Sequence, residues 1–154
     1  MLLASHRAAD WEDRLRTYLD RISDEPFDWG RHDCALFAAD CIKAMTGFDP
    51  GEAFRGQYDT KTGAAEALRE YGAGTLLQTV TAWLGDPVSI HLAKRGDIVM
   101  RDRTTCGICV GPYSYFVGEG PGSVGLVPLP TASLKYAFSV PFGPVAVDPV
   151  IANG

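Results

Sequence analysis

The stretch Phe27-Asp28-Trp29-Gly30-Arg31-His32-Asp33-Cys34-Ala35-Leu36-Phe37 decides how the rest of the chain is read. Gly30 marks a loop, and Asp33 is a natural N-cap, because a short carboxylate accepts from the N–H groups that the first helical turn leaves free. The pattern predicts a helix from Cys34 to Thr46, stopped by Gly47. Phe37, Cys41 and Met45 recur every four residues and form its inward face, while Ala35, Ala38, Ala39 and Ala44 leave room for a close neighbour. Cys34 thus stands on the first turn, where the positive end of the helix dipole and the unpaired N–H groups favour thiolate over thiol. The same N–H groups could hold an oxyanion. The plain alternative is a small apolar residue filling the core under an ordinary Asp cap.

Outward from this block, residues 8–23 read as an amphipathic helix. Trp11, Leu15, Tyr18, Leu19 and Ile22 fall on one face, and Arg14, Arg16, Asp20 and Arg21 on the other. Residues 49–60 form a long loop. Helices are predicted over 62–71, with Ala65, Leu68 and Tyr71 on one side, and over 75–84, ended by Gly85 and Pro87. The segments 97–101, 106–111, 114–117, 124–128 and 136–140 are short, rich in β-branched or aromatic residues, and separated by turn residues. Helices followed by an antiparallel meander define an α+β domain, with the helices against one face of a five- to six-stranded sheet.

The chain has 154 residues, 46% of them hydrophobic and 21% charged, which suits one folded domain with its own core. A net charge of −5 with no long Lys/Arg run argues against nucleic acid as a partner. The N-terminal apolar stretch is too short for a signal peptide, and no run reaches the ~20 apolar residues of a membrane span. Synthesis in the cytosol, with thiols mostly reduced, is the expectation. Residues 141–154 are Pro-rich and nearly uncharged, and are read as an extension docked on the chain's own body or on a neighbour, with residues 1–140 as the domain proper.

The run F-x-W-G-x-x-D-C-x-x-F, a helix ending in Thr46-Gly47, and Arg95-Gly96-Asp97-Ile98-Val99-Met100 further on together resemble the NlpC-type cysteine peptidases, a papain-like superfamily. The chain is most similar to short versions encoded in phage and gene-transfer-particle tail clusters. It shares with them Thr46-Gly47-Phe48-Asp49-Pro50, Arg55-Gly56-Gln57-Tyr58 and Gly125 to Pro128. The resemblance covers about residues 10–140 and implies a papain-like fold with Cys34 at the nucleophile position.

That mechanism needs a general base, which the superfamily carries in an H-[VS]-G-[IV]-Y motif. The matching segment here is Cys106-Gly107-Ile108-Cys109-Val110-Gly111, so Cys106 replaces the histidine. A thiol with an ordinary pKa near ~8.5 is a poor substitute at neutral pH. His91 and His32 are the alternative bases within the chain, with His6 a remote third. Ser114 and Glu119 are the nearest polar residues for the orienting role, without a motif to choose between them. The resemblance also sets Cys34 and Cys106 face to face, making them a candidate disulfide. Cys106-x-x-Cys109 looks like half a metal site, but residues three apart on a strand point to opposite faces. Cys34 and Cys41 are ~10 Å apart along a helix. No metal or cofactor is therefore predicted.

With the histidine replaced, the expected function is a structural or assembly component of a phage or phage-derived tail tip, incorporated in the virion tail. Its partners would be hub, fibre or tail-end proteins, with peptidoglycan as a further one. The alternative is an active cysteine endopeptidase that cleaves peptidoglycan stem peptides during cell-wall penetration.

Overall fold

Asp33 does what its place ahead of Cys34 predicts. Its backbone is extended, and its Oδ1 accepts from the Leu36 N–H at 2.9 Å, which opens α2 (Cys34–Thr46). Gly47, at φ 80°, ends it in the left-handed conformation that suits glycine. Phe37, Cys41 and Met45 are all fully buried. The computed structural model describes residues 6–142. The docked extension expected for 141–154 lies, beyond Phe142, outside the described residues.

The other predicted helices form with small shifts at their ends. They are α1 (Trp11–Arg21), α3 (Lys61–Tyr71, capped by Thr60) and α4 (Leu76–Leu84, capped by Thr75). On α1, Leu15 and Tyr18 are buried as predicted, while Trp11 and Leu19 are only half covered. Of the face predicted for α3 only Leu68 packs inward: Ala65 is exposed, Tyr71 is 41% exposed, and the buried residue of the helix is Ala67. The reason is its neighbour. Ala67 packs with Leu36 and Phe54 in a small satellite cluster rather than in the main core.

The sheet has six strands: β1 (Val88–Ser89), β2 (Ile98–Met100), β3 (Cys106–Cys109), β4 (Tyr113–Val117), β5 (Leu126–Pro130) and β6 (Tyr136–Phe138). All pairings are antiparallel, in the order β1-β6-β2-β3-β4-β5. A simple meander therefore holds only from β2 to β5. After β5 the chain returns, and β6 pairs with β2, closing an edge that would otherwise present unpaired backbone groups. The two-residue β1 then pairs with β6. It is too short for periodicity to reveal.

Alternation sorts the strand residues into two layers. Ile98, Met100, Cys106, Ile108 and Phe138 join residues of α1, α2 and α4 in the main core. Val99, Cys109, Phe116 and Ala137 form a second cluster on the other face. Gly107 makes the second layer possible: a Cβ there would lie 2.7 Å from the Phe116 ring and 2.4 Å from the Tyr115 carbonyl oxygen.

A buried pair ties the two ends of the described chain together. Arg7 meets Asp97 at 3.3 Å, with both side chains at most 4% exposed. Its guanidinium also donates to the carbonyls of Val140 and Arg95, and lies between the Trp11 and Phe142 rings at 4.4 and 3.9 Å. No helix among the described residues is long and apolar enough to cross a membrane.

Candidate functional site

Cys34 opens into a cleft of about 790 Å³ between the Phe27–Cys34 loop, the start of α3 and the β4–β5 hairpin. One wall is aromatic, with the Phe27 and Trp29 rings meeting edge to face at 4.7 Å. Val124 and Val127, 68% and 44% exposed, form an apolar lip. The polar part comes from Lys61, Arg101 and Glu119, with Arg101 paired to Glu119 at 3.0 Å.

The sequence blocks around the cleft serve chiefly to hold one another. Asp33 Oδ2 accepts from the Gly30 N–H at 2.9 Å and from the Tyr58 hydroxyl at 2.5 Å. Gly30 sits at φ 81°, and a Cβ there would fall 1.9 Å from the Tyr58 carbonyl oxygen. Arg55 is gripped by Asp40 at 2.6 Å and by Asp49 at 2.8 Å. Phe27 N–H donates to the Ser123 carbonyl at 2.9 Å, and Gly125 N–H to that of Glu25 at 3.0 Å, which clamps the aromatic loop to the hairpin. Gly30, Asp49, Arg55 and Tyr58 therefore act as a frame for the loop before Cys34.

The electrostatics of Cys34 run against the expectation from its helix position. Burial, and then the Asp33 carboxylate, push its thiol up to about 11. The main-chain N–H groups of Cys106, Ala35 and Cys34 itself work in the opposite direction and do not win. The helix terminus is there, but its capping anion is the residue next to the sulfur, and the surroundings desolvate any thiolate. The thiol instead donates to the Thr104 carbonyl at 3.5 Å. At neutral pH Cys34 is a protonated thiol.

The structure brings Cys106 to Cys34, since its N–H faces the Cys34 sulfur and its fully buried side chain belongs to the same core. Burial, and then Cys34, hold the Cys106 thiol well above the ordinary range. All four cysteines are free, so the candidate disulfide is not formed. Cys109 lies in the second layer, away from Cys106. No group of three or more His, Cys, Asp or Glu residues among those described is gathered to hold a metal.

The histidines are placed elsewhere. His32 is 3% exposed, stacks edge-on against Phe37, and borders a different groove, lined by α1 and Arg55. Its Nε2 is buried without a hydrogen-bond partner, and burial lowers its pKa. His91 is exposed in the 3₁₀ turn Ile90–Leu92, beside β1 at the edge of the sheet. His6 is exposed. Neither His32 nor His91 lines the Cys34 cleft. Ser114 is fully buried and bonded to Thr131 at 2.8 Å, whereas Glu119 does line the cleft. Lys61, Arg101 and the Phe27–Trp29 wall carried no role in the sequence reading. Of these only Phe27 and Trp29 left a signal, as part of the motif itself.

The arrangement defines a class: an α+β domain with a motif-framed cleft and a protonated cysteine at the start of its central helix. The model of a family described as a domain of unknown function (DUF6950) matches residues 6–140, and the chain belongs to that family. No curated protein and no solved structure matches it.

Proposed function

We propose that this chain is a non-catalytic, papain-like, NlpC-type domain serving as a structural and assembly component of a phage or phage-derived tail tip. The observation that carries the non-catalytic part is the state of Cys34. A nucleophilic thiol needs a lowered pKa or an adjacent base. Here the thiol is raised to about 11, and Cys106 stands where the superfamily resemblance puts the base. The tail-tip part rests on the sequence blocks shared with tail-cluster proteins. The open cleft, with apolar lip and aromatic wall, is a surface through which hub, fibre or tail-end proteins would be held.

Two experiments test this. Purified protein and Cys34→Ala are incubated with peptidoglycan and the soluble muropeptides compared. The expected result is no Cys34-dependent cleavage, and cut stem peptides released only by the unmodified chain would refute the non-catalytic reading. Tail particles assembled with a tagged copy should carry the tag at the tip, and tag-free tips would refute the assembly reading.

The second reading is an active peptidoglycan endopeptidase with Cys34 as nucleophile. One observation favours it: Cys34, on the first turn of α2, lines the open cleft, where a substrate could reach its sulfur. Because neither His32 nor His91 lines that cleft, the base would come from another chain.

A further inference from the structure

A groove of about 340 Å³ lies between α1 and the β3–β4 hairpin, on a different part of the surface from the Cys34 cleft. Its apolar lining is Trp11, Leu15, Leu19, Val110 and Tyr115. Leu15 is part of the main core, and the other four are half-covered residues packed against it. The apolar side of the groove is thus an unfinished edge of the core, while charged residues of α1 and Arg95 form its other side. Its volume is at the low end of the ~300–1,000 Å³ of ligand pockets, which suits a few side chains.

The last described residues of the chain end beside one wall of this groove. Pro141 accepts from the Arg7 N–H at 2.8 Å, and the Phe142 ring meets the Trp11 ring edge to face at 6.2 Å. Trp11 is both the last aromatic contact of the described chain and a wall of the groove. The sequence that follows is Gly143-Pro144-Val145-Ala146-Val147-Asp148-Pro149-Val150. It is apolar but for Asp148. Val145 and Val147 are two apart, so an extended chain presents both to one side. Pro144 and Pro149 pre-set extended backbone and reduce the entropy lost on ordering. The groove from Trp11 to Leu19 is ~12 Å along a helix, and residues 143–147 can reach ~16 Å.

We propose that the α1/β3–β4 groove is the binding site for residues 144–150 of the same chain, with the valines at 145 and 147 completing the core edge. The test uses the full chain and a Val145→Asp/Val147→Asp variant. In methyl-labelled protein, nuclear Overhauser contacts are expected from the valine methyls at 145 and 147 to the Trp11 ring and the Leu19 side chain. In the variant the backbone amides of Ala146, Asp148 and Val150 should exchange about tenfold faster than in the unmodified chain. Absence of these contacts in the unmodified chain overturns the proposal. So does their appearance only between labelled and unlabelled copies in a mixed sample, which would make the occupant a second molecule.

Discussion

Replacing Asp33 by Asn tests the frame and the thiol at once. The Asp33 carboxylate is 1% exposed and has no ion-pair partner among the described residues. Three donors satisfy it: the Leu36 N–H on Oδ1, and the Gly30 N–H and Tyr58 hydroxyl on Oδ2. Asn keeps the oxygen that caps α2 but puts an NH₂ where two donors converge. The tyrosine hydroxyl can turn and accept. The Gly30 N–H cannot, and is left facing another donor. Losing one charge-assisted bond and orphaning one buried donor costs roughly 2–3 kcal/mol. For a chain of this size that is a fall in Tm of about 4–12 °C.

The thiol should move the other way. Burial is the larger cause of its rise to about 11 and Asp33 the second, so Asp33→Asn lowers the value without returning it to the ordinary range. A fall of one unit is a tenfold gain in thiolate, ~1.4 kcal/mol. The assay is the alkylation rate of Cys34 in folded protein at neutral pH, with Cys34→Ser as the blank. A rise of about three- to tenfold is expected. An unchanged rate would show that the carboxylate does not act on the sulfur. A rate equal to that of a free thiol would show that burial does not.

Three further outcomes follow from the same geometry. Gly30→Ala must move either its own loop or the Tyr58 carbonyl, and should lower stability by more than about 3 kcal/mol in urea unfolding, well beyond an ordinary surface change. Asp97→Asn strands the buried Arg7 guanidinium and should cost about 3 kcal/mol, whereas adding Arg7→Met should recover most of it; failure of that recovery would argue against the charge pair as the cause. His32 is buried with its pKa lowered, so the unfolded chain binds the proton more readily and stability should fall as pH drops below about 6.5, by at most ~1.4 kcal/mol per pH unit. His32→Gln should flatten that part of the urea-midpoint profile, and an unchanged slope would assign the acid sensitivity to other groups.

Local patterns in the sequence were sufficient for most of the elements. Asp33 and Gly47 cap and stop α2 as expected because those roles depend on the nearest few residues. Alternation separated Cys106 from Cys109 for the same reason. What lay beyond local reach was pairing and environment. The return of β6 to β2, the two-residue β1 and the shallow burial of α3 depend on partners distant in the chain. So do the bonds of Asp33 to Tyr58 and of Arg55 to Asp40, and the separation of His32 and His91 from the cleft.

Cys34 shows the division most clearly. The sequence determined that it begins a helix behind an aspartate cap, since both facts follow from adjacent residues. Only the tertiary structure decided its charge, because desolvation is a property of everything packed around the sulfur. That packing, joined by the anion next to it, outweighs the helix terminus.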